Sequence, residues 1–266
     1  AAFALLLQLL AGGRGAEPAP WPTLGGASKA RLVNRLWLAV VALTLIVVGT
    51  VGGPALGFAD PDEIDLGLSH LAPGPAHWLG TDGVGRDVMA RMAQAAAAPL
   101  ALGACATAAA LLFAWCYSSL MMSRWAWLRD GAAATLRGLD ACSMLVALLA
   151  LASLVRLNLV SMSLAVGLLA TPFVVRAMRR SSGLLAPCLA VFAAAVAAES
   201  VMSYLGFGFG GWPPSWGRAI IEGREHMEYA AHVFMAPAGL LVTCLFSLRW
   251  SYHVIAGGRA LTAETR

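Results

Sequence analysis

Apolar residues run through this chain of 266 residues in long blocks, separated by short polar breaks. A helix rises 1.5 Å per residue, so about 20 consecutive apolar residues cross a hydrocarbon layer ~30 Å thick. Blocks of this kind predict spans at about 36–58, 99–122, 141–155, 159–175, 184–205 and 232–248. The third and fourth are separated only by Arg156, Leu157 and Asn158. One helix through Arg156 would far exceed the bilayer, so a tight hairpin is expected there, with the charge reaching the interface. The expected fold class is all-α, a polytopic membrane helix bundle of about six transmembrane helices over residues 31–266, after a flexible segment at 1–30. Two connecting stretches, Ala59–Ala98 and Gly206–Ala231, are longer than hairpins need and combine Gly, Pro, Trp and charge. They are expected to form structured outer segments.

Composition strengthens this picture. The chain is 59% hydrophobic and 12% charged, with a mean hydropathy of +0.74; a soluble domain carries about 25% charged residues. The initial "AAFALLLQLL" is too short to span, and no basic region precedes it, so neither a first span nor a signal peptide is expected there. Because the chain does not start with Met, its start is read as truncated or processed. Thirteen of the 18 basic residues fall on one side of the expected layout, among them Arg31, Arg35, Arg124, Arg129, Arg137 and Arg249. The positive-inside rule places that side, with both termini, in the cytoplasm. The net charge of +4 comes with no basic stripe interleaved with aromatics, which argues against nucleic acid. The five cysteines stand singly in or beside apolar blocks and read as buried small hydrophobes.

Candidate chemistry gathers in the two outer stretches. "HWLGTDGVGRD", His77 to Asp87, imitates a phosphate-cradling glycine loop, but it has neither the G-x-G-x-x-G nor the G-x-x-x-x-G-K-[ST] spacing. Its residues fit a helix start better: Thr81 or Asp82 as N-cap, glycines for the turn, Asp87 in the first helical turn, and Arg86 with Asp87 free to pair with a neighbouring segment. In "AAESVMSYLGFGFGGWPPSWGRAIIEGRE", from Ala197 to Glu225, Glu199 is a carboxylate inside the fifth span. Such a group marks either a function or a buried polar pair with a neighbour such as Ser200. The glycines end the span, "WPPSWG" makes an aromatic turn, and "GRAIIEGREHMEY" is expected as an amphipathic helix on the outer surface. Glu225, His226 and Glu228 match no standard metal site and read as a solvated face. No nucleophile elbow is present, and no enzyme chemistry, metal or cofactor is indicated.

These stretches carry a resemblance. "HWLGTDGVGRDVMARM" resembles the H-x-L-G-T-D-x-x-G-R-D-V-x-S-R motif of the dipeptide, oligopeptide and nickel permeases, the C-type subunits of ABC importers. The matching residues are His77, Leu79, Gly80, Thr81, Asp82, Gly85, Arg86 and Asp87. "AESVMSYLGFG" and "PPSWGRAIIEGRE" resemble two later motifs of that family, through Glu199, Ser203, Leu205, Gly206, Gly208, Pro214, Trp216 and Gly217. The resemblance runs from about Arg31 to the C-terminus. It implies a type I importer fold, half of a translocation path and multi-pass residence in the bacterial inner membrane. It also implies a set of partners: a second homologous permease subunit, two cytosolic ABC ATPases that hydrolyse the ATP, and an extracytoplasmic solute-binding protein. Peptides or similar small solutes, nickel chelates among them, are the implied cargo.

One departure bears on mechanism. The family couples to its ATPases through an E-A-A-x-x-x-G segment between the fourth and fifth spans. Here "RAMRRSSGLLAP" runs almost directly from one span into the next, and no such segment occurs between Thr171 and Ala198. Arg176, Arg179 and Arg180 remain as a basic inner edge, which the resemblance implies would face the ATPases and which positive-inside topology alone also accounts for. The tail "SYHVIAGGRALTAETR" also keeps little of the family's ending. Two other readings therefore stand beside the importer subunit: a degenerate or repurposed permease-fold protein without ATPase coupling, and a proton-coupled transporter built on Glu199. Against the second of these, no internal repeat is visible.

Overall fold

The computed structural model describes residues 60–179, 183–208 and 215–263, the side chains of 254 and 256–263 excepted. The expected first span at 36–58 and the segment 1–30 lie outside the described residues. Within them the chain is helical: α1 (Val88–Ala95), α2 (Ala97–Met121), α3 (Ala126–Ala141), α4 (Met144–Leu154), α5 (Leu159–Arg179), α6 (Leu185–Tyr204), α7 (Trp216–Arg224) and α8 (Ala231–Ala263). The described residues contain no strand, only an isolated bridge between Thr81 and Asp87.

Among the described residues, four helical stretches are long and apolar enough to cross a membrane: Val88–Met121, Leu159–Arg179, Leu185–Tyr204 and Ala231–His253. They correspond to the second, fourth, fifth and sixth expected spans. The expected third span, 141–155, takes another form. Only 11 residues, Met144–Leu154, are helical there, about 16 Å of rise. They follow α3 at a bend of 93°, and only α3 and α4 together pass as a fifth, broken span. α3 was not expected as a helix. It is amphipathic: Ala132 and Leu136 are buried, while Trp125, Trp127, Arg129 and Arg137 stand exposed. The tight connection around Arg156–Asn158 is present, with Asn158 Oδ1 accepting from the Ser161 N–H at 2.8 Å as α5 begins.

Alanine dominates the central packing. Ala110 and Ala114 of α2 meet Val174 and Val175 of α5, Val191 of α6 and Leu136 of α3. Small side chains let helix axes approach closely, which sustains association where lipid is as apolar as the protein. A second cluster joins Leu102 and Ala106 to Leu148, Met162, Ala198 and Met202. A third lies under the polar stretch: Val88 and Met92 pack with Val196, Trp216, Val233 and Leu248, and Leu79 seals its edge. α2 and α5 finish side by side, Arg179 donating to Met121 Sδ, and this is called the opposite end below.

The cysteines do not share one environment. Cys244 is buried and Cys188 half-buried, but Cys105, Cys116 and Cys142 are exposed on the bundle's outside, contrary to the uniform burial expected. An apolar setting in the sequence does not distinguish the interior from a face turned to lipid or to another subunit.

Candidate functional site

The polar stretch folds into a cap over the starts of α1 and α8. Gly85 lies at φ +82°, and a Cβ there would sit 1.7 Å from the Asp65 carbonyl oxygen, so the two loop strands cross where only glycine fits. Gly80 also has a positive φ, +73°. The buried Thr81 hydroxyl donates to the Leu68 carbonyl and accepts from the Leu71 N–H. The N-cap of α1 is Asp87, whose Oδ1 accepts from the Ala90 N–H at 2.9 Å. This corrects the expected cap at Thr81 or Asp82, and it places Asp87 just before the helix. Asp87 Oδ2 also lies 2.8 Å from His77 Nδ1. Arg86 and Asp87 thus pair within the motif, and the link to a distant segment is made by another residue.

That residue is Arg91. Asp82 Oδ1 accepts from the N–H groups of Val84 and Arg86 at 3.0 and 2.9 Å, and its Oδ2 accepts from Arg86 Nε at 2.9 Å and Arg91 Nη1 at 2.7 Å. Arg91 Nη2 continues to Glu222 Oε2 at 3.3 Å, and Glu222 Oε1 accepts from Arg218 Nε at 2.9 Å. Five charged groups form one chain across α1, the loop and α7. Burial pushes the Asp82 carboxyl upward, but the two backbone N–H donors and the guanidiniums of Arg91 and Arg86 outweigh it. They hold its pKa below the ordinary value of 3.8. Sequence reasoning missed Arg91 and Glu222 as site residues. The signal was a lone cation one turn into a helix otherwise reading "VMARMAQA".

The second motif meets the first. Trp216 is fully buried and its Nε1 donates to the Met92 carbonyl at 3.1 Å. A Cβ on Gly217 would come within 2.0 Å of the Ser200 carbonyl oxygen, so α7 crosses α6 almost in backbone contact. α7 is therefore packed into the bundle through Trp216, Gly217, Ala219 and Gly223, rather than resting on its surface as expected. Glu199 is 1% exposed; its Oε1 accepts from Ser203 Oγ at 2.6 Å, while Oε2 has no partner among the described residues. Gly206, at φ +88°, and exposed Leu205 turn the chain out of α6, and Gly208 lies against Ser203. Pro214 lies outside the described residues. His226 is not a solvated helix face: its ring packs 4.9 Å from that of His70, and Tyr229 meets both edge-on.

A cavity of about 530 Å³ opens between the cap, the end of α6 and α7, lined by Asp82, Arg86, Arg91, Glu222, Glu225 and His226 among others. Of the basic edge, Arg176 Nη1 pairs with Asp140 Oδ2 at 2.9 Å and Arg179 contacts Met121; Arg180 lies outside the described residues. Arg176 and Arg179 sit at the opposite end from the cap.

No protein-family model matches the chain. It is 26% identical over 274 aligned residues to a putative peptide permease protein of Brucella suis, which covers 88% of this chain and 89% of that one. A putative peptide permease protein of Brucella abortus is 30% identical over 168 residues, covering 61% of this chain and 54% of its own. The probable D,D-dipeptide transport system permease protein of Escherichia coli is 42% identical over 52 residues, covering 20% of this chain and 17% of its own. The chain is similar to peptide permeases of ABC transport systems. The protein is a multi-pass helical membrane protein, and its cap joins stretches from opposite halves of the sequence. The Brucella abortus match spans about half of that relative's length (54%), and the Escherichia coli match is confined to 17% of its own.

Proposed function

We propose that the chain is the transmembrane subunit of an ABC importer for peptides or similar small solutes. It would supply half of the translocation path, beside a second homologous permease subunit, and two cytosolic ATPases would drive the pair. The observation that carries this reading is the joining of His77–Arg91 to Trp216–Glu222. The two stretches that resemble one family lock together through Arg91–Glu222 and Trp216–Met92. On this reading the cap faces outward, where a solute-binding protein delivers cargo, and the opposite end, with Arg176, Arg179 and the exposed α3, faces the cytoplasm of a bacterial inner membrane. The basic residues of 124–137 and 176–180 support that orientation.

The permease has no chemical step of its own in this scheme. It closes and opens a polar path, and the ATPases supply the free energy. A second reading, a permease-fold protein without ATPase coupling, is favoured by one feature: only residues 180–184 separate α5 from α6. One experiment decides between the two. The full chain is co-expressed with candidate partner permeases and ABC ATPases from its own source and purified in mild detergent, and ATP-driven dipeptide uptake is measured in reconstituted vesicles. The importer reading expects ATPases in the complex and uptake that needs ATP. A stable permease pair that never retains an ATPase and shows no uptake sinks it.

A further inference from the structure

The cavity beside the cap has a charge pattern the structural network does not use up. Three carboxylates line it (Asp82, Glu222, Glu225) against three guanidiniums (Arg86, Arg91, Arg218), so the lining is balanced in sign but not uniform in space. Arg91 and Asp82 are committed to each other deep in the wall. The side chains of Arg86 and Arg218 each engage a carboxylate through Nε, and among the described residues their terminal nitrogens have no partner. The Glu225 carboxylate likewise has none. These groups are ordered along one face. Arg218, Glu222 and Glu225 stand at positions i, i+4 and i+7 of α7 and its C-cap. Seven residues make about two turns, so Arg218 and Glu225 share a side of the helix about 10 Å apart along its axis.

We propose that this cavity receives a short peptide by its two charged ends, with the free carboxylate on Arg218 and Arg86 and the free ammonium on Glu225. The inference rests on the peptide-importer reading and names a cargo subsite within it. Two extended residues span about 7 Å, which the ~10 Å separation of the two handles accommodates once side-chain reach is counted. The volume, about 530 Å³, lies within the usual range of small-ligand sites, roughly 300–1,000 Å³. A guanidinium with two free N–H groups accepts a carboxylate in the bidentate geometry that gives both strength and direction. Val84, Met92, Ile221 and Tyr204 supply the less selective wall that a variable side chain needs. A lining neutral in sum does not attract a singly charged solute from afar. It favours one that is itself neutral in sum and charged at both ends.

The test uses the full chain in lipid nanodiscs, with L-alanyl-L-alanine followed by saturation-transfer NMR, and N-acetyl-alanyl-alanine and alanyl-alaninamide as comparators. The free dipeptide is expected to bind, and each blocked derivative to bind at least about tenfold more weakly. Glu225→Gln should abolish the preference for the free amine over the acetylated form. Arg218→Gln should abolish the preference for the free carboxylate over the amide, with little effect on the amine preference. Equal binding of all three ligands, or unchanged preferences in both variants, overturns the proposal. The same variants are assayed for dipeptide uptake in the reconstituted complex. Wild-type uptake without terminal discrimination by the cavity rejects this inference alone, whereas no peptide uptake at all rejects the reading beneath it.

Discussion

At the cap, Asp82 takes four donors and Arg91 spans to Glu222 from a position where its own side chain is 9% exposed. At the opposite end, Arg176 and Asp140 share an ion pair with side chains 50% and 51% exposed, and Arg129 lies 3.7 Å from Asp130 in the open. Exposed pairs contribute about 0–1 kcal/mol, whereas breaking a buried one by removing a partner costs about 3–5 kcal/mol. One end of the bundle is over-determined and the other loosely tied.

The sharpest way to break the comparison is Gly85→Ala. The left-handed backbone and the 1.7 Å approach to the Asp65 carbonyl leave no room for a Cβ. A loss of about 3 kcal/mol or more is expected, read as a large fall in detergent melting temperature or as failure to accumulate. Arg91→Ala comes next. It leaves Asp82 charged and under-compensated, and because Glu222 is partly exposed the expected loss is about 2–4 kcal/mol, with Arg91→Lys recovering part of it. An acid titration of the melting temperature follows. The Asp82 carboxyl has a folded pKa below its unfolded value, so its contribution is present above about pH 4 and is lost only as pH falls through the lower, folded value. Asp82→Asn should flatten that acid limb; an acid limb of the same size in the variant would show that Asp82 is not its source. The smallest effect is Arg176→Ala, expected to shift stability by no more than about 1 kcal/mol. A loss there as large as that of Arg91→Ala would erase the contrast between the two ends.

Much of this architecture is legible along the chain, because a run such as Leu159–Val175 has one stable fate in a bilayer. The third span was misread because an apolar run sets how long a helix can be, not where it bends. The 93° break at Cys142–Ser143 depends on α3 folding against α2 and α5. α3 itself was missed because Gly131, Gly138 and its four charges read as a polar connection. Asp82 and Asp87 both suit an N-cap, and the choice falls to the crossing at Gly85, which is tertiary. The motif residues stand out by type and spacing, but the partnership of Arg91 with Glu222 joins positions 131 residues apart and leaves no local trace.

That separation has a consequence for biosynthesis. Asp82 and Arg91 emerge from the ribosome nine residues apart and can pair as soon as the cap loop clears the translocation machinery. The second nitrogen of Arg91 must wait for Glu222, when all but the last helix has been made. Until then a guanidinium and an unfinished hydrogen-bond set stand open to water. Closure of the cap is thus a late event, and it requires that α6 and α7 have already been placed beside α1. A nascent chain stalled before α7 would still display the open half.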